Sequence, residues 1–280
     1  MLYDPQGVRS YYDNYGTREW ERLEQTLQGR IKYRIHRHFL DIYVPDGARV
    51  LDVGCGHGRF ALDLARRGTC LTLADLSPTQ LDLARQNMAA AGLLEKVQAF
   101  HCLDVVDMHE LGDASFDVAV CYGAAISYTR ECYIAALREL WRVLRPGGRL
   151  LISVCSLYGT LRLIGPYDEI AFLDQPDTHL DWQAILSGEG AVCTRPGSPE
   201  FHQPMVLFTS AGLRRALAQT GFRVVEMAAA NPLVPEGARI PLISASEQGA
   251  AALTDLEVAL CNCPGLVDTG EHLLAIAEKP

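Results

Sequence analysis

The residues with the clearest chemical meaning are three closely spaced glycines and an acidic residue further along the chain. The segment VLDVGCGHGRF places Gly54, Gly56 and Gly58 directly after an apolar run, at residues 50–60. Because glycine has no side chain, such a turn lets a ligand approach the backbone N–H groups closely. The next apolar run, CLTLAD, ends in Asp75, whose carboxylate can accept two hydrogen bonds from a ribose diol. Together these residues predict a nucleoside-binding site.

The elements that must hold these residues follow from the surrounding pattern. Residues 50–53 and 70–75 are short apolar runs typical of buried strands, and the amphipathic stretch between them favours a helix ending near Gly68. The same alternation continues to residue 154 and predicts a parallel sheet covered by helices on both faces. Ser77 and Pro78 are of the types preferred at a helix start.

The spacing of the glycines separates two kinds of nucleoside site. Dinucleotide-binding loops follow G-x-G-x-x-G, whereas this chain has G-x-G-x-G preceded by Asp52. An NAD(P)-dependent Rossmann oxidoreductase is therefore only an alternative, because this spacing fits the pyrophosphate fingerprint poorly.

Here the chain resembles the class I S-adenosylmethionine-dependent methyltransferases, whose first motif is an acidic residue followed by x-G-x-G-x-G at the end of the first strand. Later segments resemble that family in the same order over most of the chain. They are FHCLDVVDM (100–108), FDVAVCYGAAISY (116–128), ALRELWRVLRPGGRLLISV (136–154), FTSAGLRRALAQTGFRVVEM (208–227) and HLLAIAEK (272–279).

The resemblance implies an α/β fold: a Rossmann-like, doubly wound, mostly parallel seven-stranded sheet with an N-terminal helical cap and two insertions. The expected divisions are a cap that is part of the substrate site (1–47), the S-adenosylmethionine-binding core (48–155), a substrate-binding insertion (156–207), and the C-terminal part of the core (208–280) with a second insertion (228–270). Long loops inside compact domains are commonly binding elements. The cap and insertions are expected to enclose a small, largely apolar acceptor.

The resemblance also implies which residues contact the cofactor. Asp52 and the three glycines are expected at its methionine portion, Asp75 and Leu76 at the ribose and adenine edge, Asp104 and Val105 at the adenine, and Cys121 with Tyr122 near the sulfonium. The N-terminal tyrosines Tyr11, Tyr12 and Tyr15 are expected either to fold over the cofactor or to pack in the core.

The expected activity is methylation of a small-molecule acceptor of the secondary-metabolite type. Arg30, Arg34 and Arg37 share one face if residues 20–39 are helical, although residues 31–36 also alternate as a strand would. Such a stripe is either solvated surface or an anion clamp. The candidate substrate-binding residues are Arg30, Arg34, Arg37, His38, Phe172, Trp182 and Phe208, and the candidate catalytic residues are Glu169, Tyr122 and His179.

A narrower alternative is a C-methyltransferase of a prenyl diphosphate, geranyl or farnesyl. In that interpretation the basic stripe holds the diphosphate through magnesium, aromatic side chains shield a carbocation, and Glu169 removes its proton. Magnesium is expected only if the acceptor is such a diphosphate. No other metal is predicted, because the C-x-C pair Cys261 and Cys263 lacks nearby partners at zinc-ligand spacing.

Composition restricts the choice of partners. The net charge of −9 argues against a nucleic-acid partner, which needs a concentrated positive face. The first residues lack a leader pattern and no long uncharged apolar run follows, so a cytoplasmic protein without a membrane partner is expected. The nine cysteines are an odd number scattered through predicted elements, as is typical of reduced thiols. The oligomeric state is left open.

Overall fold

The computed structural model describes residues 2–164, 191–193, 205–234 and 246–280. Four of the predicted site residues lie outside these ranges. They are Glu169, Phe172, His179 and Trp182.

A seven-stranded sheet forms the core of the described chain, in the order β3-β2-β1-β4-β5-β9-β8. Its strands are β1 (Arg49–Val53), β2 (Cys70–Asp75), β3 (Val97–Cys102), β4 (Phe116–Cys121), β5 (Leu144–Cys155), β8 (Arg223–Ala230) and β9 (His272–Glu278). Neighbours from β3 to β5 pair in parallel, and β9 runs antiparallel to both β5 and β8. A separate antiparallel pair is formed by β6 (Ala191–Cys193) and β7 (Met205–Leu207). The predicted mostly parallel, Rossmann-like sheet is confirmed.

Helices cover the sheet on both faces. They are α1 (Pro5–Tyr15), α2 (Arg18–Glu21), α3 (Leu27–Tyr43), α4 (Arg59–Arg66), α5 (Pro78–Ala90), α6 (Ala125–Tyr128), α7 (Tyr133–Val143), α8 (Leu157–Ile164), α9 (Ser210–Gln219) and α10 (Glu247–Leu260). One apolar cluster joins the sheet to α3, α4 and α5, and a second joins it to α7 and α9. Successive strand residues point to opposite faces, so two covered faces explain the continuously apolar strands.

Helix α3 settles the ambiguity over residues 31–36, which are helical and not extended. Thr26 caps this helix, its side chain accepting from the Gly29 N–H at 2.9 Å. A Cβ at Gly29 would lie 2.1 Å from the Arg22 carbonyl oxygen. Only glycine fits at this position, and its lack of a side chain lets the backbone at Arg22 pack closely against the start of α3.

The described ranges contain no helix that is long and apolar enough to cross a membrane.

Candidate functional site

Two cavities lie side by side at the carboxyl ends of β1, β2 and β4. The first cavity, of about 660 Å³, lies between this sheet edge and α1. The second cavity, of about 560 Å³, lies between the sheet edge, α3 and the start of α4. Gly54, Gly56, Tyr122 and Gly123 line both cavities. In parallel α/β sheets this edge is where ligands bind.

The glycine turn after β1 forms the boundary between the two cavities. Gly54, Gly56 and Gly58 all have positive φ, at 70°, 51° and 75°, a region that other residues rarely adopt. A Cβ at Gly54 would lie 2.8 Å from the Ala125 Cβ, so the turn also needs a small residue there. Gly58 caps the start of α4 and lines neither cavity. A Cβ at this position would lie 3.4 Å from the Ala84 Cβ on α5.

Asp75 stands at the end of β2 and lines the first cavity. Its two carboxylate oxygens accept hydrogen bonds from the backbone N–H groups of Gly56 and Ser77, each at 2.9 Å. These bonds fix the carboxylate against the glycine turn. Because each carboxylate oxygen has two acceptor sites, Asp75 can still accept from a ligand diol.

Asp104 lines the first cavity on the side of β3, next to Val105, and Leu76 lines it as well. One Asp104 oxygen accepts from the Val106 N–H at 2.9 Å, and the other accepts from the Tyr3 hydroxyl at 2.9 Å. Burial, followed by the charge of Asp104, raises the pKa of Tyr3, so that hydroxyl remains a donor.

The N-terminal segment closes the first cavity from above. Tyr3, Val8 and Tyr12 line it, and Tyr12 packs edge-on against Tyr128 at 5.6 Å between ring centroids. Of the two interpretations of the N-terminal tyrosines, Tyr12 matches the one that places them over the cavity. The contribution of Tyr3 was not predicted, because a lone tyrosine near a chain start carries no periodic signal.

Several polar contacts hold this segment to the core. Asp13 accepts from the Ser77 hydroxyl at 2.5 Å, and the Tyr12 carbonyl accepts from Gln80 at 2.9 Å. The carbonyl of Gly16 accepts from the His57 ring at 2.6 Å. The cap is therefore fastened to the start of α5 and to the glycine turn.

Asp52 is a buried carboxylate on the wall of the second cavity. It is 2% exposed, and within the described ranges its Oδ2 atom has no hydrogen-bond partner. Burial, with a smaller contribution from the charge of Asp75, raises the pKa of Asp52 to about 7. A buried carboxylate with an unpaired oxygen fits a cationic ligand group, such as the ammonium expected of the methionine portion.

Basic and aromatic side chains surround Asp52 in the second cavity. Among the described residues the wall includes three cationic side chains, three imidazoles and three aromatic rings: Arg22, Lys32, Arg59, His36, His57, His272, Trp20, Phe60 and Tyr122. Lys32 forms a buried ion pair with Glu271, at 2.5 Å. Arg59 pairs with Glu24 at 3.1 Å and stacks over Trp20. This wall is more polar than the predicted, largely apolar acceptor site.

Tyr122 and Cys121 are adjacent in the sequence but belong to different apolar clusters, on opposite faces of the sheet. Tyr122 lines both cavities, and its hydroxyl donates to the backbone carbonyl of His36 at 3.4 Å. Burial, followed by the charge of Asp52, raises the pKa of Tyr122. Cys121 is buried in the opposite core cluster and lines neither cavity, because strand residues alternate between faces.

The predicted basic stripe is not brought to either cavity. Arg30, Arg34 and Arg37 are exposed on α3, and the half-buried His38 lines neither cavity. Arg37 pairs with Asp41 at 3.8 Å. Helix α3 buries the stripe of Ile31, Ile35 and Phe39 against the core, which turns the arginines to solvent.

Phe208 also lies away from both cavities. It is buried, and its ring meets that of Tyr133 at 5.3 Å, on the α7 side of the sheet. Within the described ranges, no three His, Cys, Asp or Glu side chains are grouped so as to hold a metal ion.

Comparisons with known proteins agree with this geometry. Residues 50–148 match the family described as the methyltransferase domain. A malonyl-[acyl-carrier protein] O-methyltransferase of Serratia marcescens is 37% identical over 119 residues, which cover 42% of this chain and 42% of that protein. A tRNA 5-carboxymethoxyuridine methyltransferase of Escherichia coli is 29% identical over 54% of this chain and 58% of that protein. The chain thus spans about half the length of these curated relatives.

Solved structures match over a greater length. A putative methyltransferase of Haloferax volcanii, in complex with the Trm112 methyltransferase activator, superposes with a TM-score of 0.59 at 20% identity, covering 98% of this chain and 97% of that one. The 1,6-didemethyltoxoflavin-N1-methyltransferase of Burkholderia thailandensis, with S-adenosylhomocysteine bound, gives 0.56 at 19% identity, covering 100% and 92%. These likenesses show a shared fold. They agree with the match of residues 50–148 and with the glycine turn beside Asp75, which identify this part of the chain as a class I S-adenosylmethionine-dependent methyltransferase domain.

Proposed function

We propose that this protein transfers a methyl group from S-adenosylmethionine to a small-molecule acceptor of the secondary-metabolite type. The observation that carries the proposal is the meeting of two cavities at Gly54, Gly56, Tyr122 and Gly123. A cofactor in the first cavity then has its reactive end at the boundary of the second. The first cavity would then serve the adenosine portion of the cofactor, and the second would serve the methionine portion beside Asp52, with the acceptor next to it.

Residues of both cavities fit this cofactor part by part. Asp75 would accept the two ribose hydroxyls, and Asp104 would accept from the adenine amino group. The glycine turn and Asp52 would hold the methionine portion, with the ammonium group next to the unpaired Asp52 oxygen. When bound, the cofactor supplies an electrophilic methyl group on a sulfonium.

The chain's own contribution is alignment and exclusion of water. Displacement at a methyl carbon needs the nucleophile, the carbon and the sulfur in line, and a leaving thioether needs no proton. Tyr122 and Gly123 line the boundary of the two cavities, where this alignment would be set. The cap, which is held over the first cavity by its hydrogen bonds to Ser77 and Gln80, would exclude water from the reacting groups.

Support for a small acceptor comes from the lining of the second cavity and from charge. Aromatic rings and a few polar side chains line this cavity, as is typical of pockets for small organic molecules. The net charge of −9 gives no general attraction to polynucleotides. A cytoplasmic protein of biosynthesis is consistent with this assignment and belongs to the same proposal.

The prenyl-diphosphate alternative draws no support from the described part of the chain. Its anion clamp, Arg30, Arg34 and Arg37, faces solvent, and Glu169 lies outside the described residues. Magnesium enters only with that alternative.

Binding of tritium-labelled S-adenosylmethionine by equilibrium dialysis tests the proposal against a nicotinamide-dependent oxidoreductase. We expect saturable binding that unlabelled S-adenosylhomocysteine displaces and NADH does not. Displacement by NADH alone would support the oxidoreductase. Methyl transfer itself is then sought by mass spectrometry, as a gain of one methylene equivalent in candidate acceptors.

A further inference from the structure

We propose that two residues of the cap, Tyr3 and Asp13, are positioning residues for the cofactor. Tyr3 orients Asp104 toward the adenine amino group. Asp13 acts through Ser77 and orients Asp75 toward the ribose hydroxyls. This inference rests on the proposed function and deepens it, because the cap then takes part in recognising adenosine as well as in covering it.

The Tyr3 hydroxyl is bonded directly to the carboxylate proposed for adenine. It donates to Asp104 Oδ2 at 2.9 Å, while the Val106 N–H donates to Oδ1 at 2.9 Å. One hydrogen bond at each oxygen fixes the plane of the carboxylate. Each oxygen has a second acceptor site, which an adenine amino group can use. Without the Tyr3 hydroxyl, the Asp104 side chain would lose its bond at Oδ2 and could turn more freely.

The backbone around Tyr3 is itself held by a short helical turn, Arg130–Cys132. The Tyr3 N–H donates to Glu131 Oε1 at 2.6 Å. Arg130 Nη1 donates to the Leu2 carbonyl at 2.5 Å. Arg130 is buried and has a φ of 50°, which is uncommon for a residue with a side chain. Such a conformation persists only where the surrounding structure determines it, so this turn gives Tyr3 a fixed position.

A second chain of hydrogen bonds leads from α1 to the carboxylate proposed for the ribose. The Ser77 hydroxyl donates to Asp13 Oδ1 at 2.5 Å and accepts from the Gln80 N–H at 3.1 Å. The Ser77 N–H donates to Asp75 Oδ1 at 2.9 Å. Because Ser77 is fully buried, water cannot replace these partners. Any shift of Ser77 would therefore move the donor that holds one oxygen of Asp75.

Asp13 is a charged acceptor for the Ser77 hydroxyl. Burial raises the pKa of Asp13, but the hydrogen bonds from Ser77 and Thr79 outweigh it and lower the pKa overall. Arg9 Nε also lies 3.7 Å from Asp13 Oδ2 on the same helix. A hydrogen bond to an ionised acceptor is stronger than one between neutral groups. Asp13 can thus hold Ser77 firmly.

Both carboxylates proposed to recognise adenosine are therefore linked to the cap. A simple cover would need no more than apolar contact with the ligand, such as Val8 offers. The polar contacts of Tyr3 and Asp13 instead link the position of the cap to the ligand groups that the two carboxylates bind. The sequence could not show this, because the partners of Tyr3 and Asp13 lie 101 and 64 residues further along the chain.

The test measures by calorimetry how tightly the protein binds three ligands. They are S-adenosylhomocysteine, its analogue with hydrogen in place of the adenine amino group, and its 2′,3′-dideoxy analogue. Weak ligands are measured by displacement of S-adenosylhomocysteine. If each cap residue acts through one carboxylate, each variant should lose affinity only for ligands that carry the group which that carboxylate binds.

Tyr3→Phe removes the hydroxyl and keeps the ring. We expect it to weaken binding of S-adenosylhomocysteine and of the dideoxy analogue by about fivefold or more, because Asp104 is less well oriented. Binding of the analogue without the amino group should change by less than about twofold.

Asp13→Ala should show the reverse pattern. Binding of S-adenosylhomocysteine and of the analogue without the amino group should weaken by about fivefold or more, because Ser77 and Asp75 are less firmly held. Binding of the dideoxy analogue should change by less than about twofold. Asp13→Asn keeps an acceptor oxygen for Ser77 and should lose less than Asp13→Ala.

Two control variants change residues that line neither cavity. Tyr158→Phe removes an exposed tyrosine hydroxyl on α8, and Gln6→Ala removes an exposed polar side chain on α1. Both should bind all three ligands like wild type.

The other outcomes each contradict a separate step. If a variant weakens all three ligands by the same factor, or weakens none, the positioning role of that residue is wrong. If wild type binds both analogues as tightly as S-adenosylhomocysteine, Asp104 and Asp75 do not recognise these groups, and the inference fails while the proposed function stands. If wild type does not bind S-adenosylhomocysteine, the proposed function itself fails.

Discussion

At the scale of single residues, Asp52 links cofactor binding to pH. Burial raises its pKa to about 7, and an ammonium group at its unpaired oxygen would favour the ionised form. We expect affinity for S-adenosylhomocysteine to weaken as pH falls from 8 to 6, approaching about tenfold per pH unit below that pKa. Calorimetry across this range measures it, with Asp82→Asn on the exposed face of α5 as control. If the affinity of wild type did not change with pH, Asp52 would not contact the ligand.

The same carboxylate should weaken the fold at alkaline pH. Its folded-state pKa lies above the unfolded value, so the folded state holds the proton more tightly. The resulting stabilisation is present at low pH and is lost as pH rises from about 4 to about 7. Asp52→Asn is therefore expected to unfold at a higher temperature than wild type at pH 8, while losing affinity for S-adenosylhomocysteine. A lower melting temperature at pH 8 would contradict the assigned pKa.

At the scale of elements, α1 and the residues before it cover the cavity proposed for the cofactor. Tyr3, Val8 and Tyr12 cover the first cavity and would contact a bound ligand directly. We expect saturating S-adenosylhomocysteine to slow amide hydrogen exchange in residues 5–15 by about tenfold or more, because local opening is then linked to ligand release. The exposed end of α9 serves as internal reference. Unchanged exchange in α1 would mean that the cap does not close on the ligand.

Elements with a strong local pattern were predictable from the sequence. The run CLTLAD was expected as a strand ending in Asp75, and β2 is Cys70–Asp75. The capping role of Ser77 is likewise local, since its side chain accepts from the Gln80 N–H at 3.1 Å. In both cases a short stretch contains all the interactions that decide the structure.

Features that depend on distant partners were not predictable. Helix α3 has polar residues on several faces, and its pattern does not distinguish the buried Lys32 and His36 from the exposed Arg34. Lys32 pairs with Glu271, which directly precedes β9, and the His36 ring packs against Phe60 and Tyr122. The exclusion of Cys121 from the cavities has a similar origin, since the face of β4 that a ligand approaches is set by neighbouring elements.

At the scale of the whole molecule, the buried pair of Lys32 and Glu271 joins α3 of the cap to the residue directly before β9. The two side chains are 8% and 5% exposed, and Asn231 also donates to Glu271 at 3.3 Å. Lys32→Met alone leaves a buried carboxylate without its cation and should cost about 3–5 kcal/mol of unfolding free energy.

A double-mutant cycle measures this coupling by urea denaturation. Lys32→Met with Glu271→Leu should be less destabilised than the sum of the two single variants, because no uncompensated charge remains. Arg37→Met, which breaks the exposed pair with Asp41, is the matched control and should change stability by less than about 1 kcal/mol. Strict additivity of Lys32→Met and Glu271→Leu would show that the pair does not couple the cap to the core.

The central claim for the molecule is that the first cavity binds S-adenosylmethionine through Asp75. Calorimetry with S-adenosylhomocysteine on wild type, Asp75→Ala, Asp75→Asn and the control Asp82→Asn tests it most directly. Removing charge-assisted bonds to the ribose hydroxyls should weaken binding by about 1–3 kcal/mol in Asp75→Ala. Asp75→Asn, which keeps one oxygen acceptor, should lose less, and Asp82→Asn should bind like wild type. Wild-type affinity in folded Asp75→Ala, or no binding to wild type, would contradict the claim.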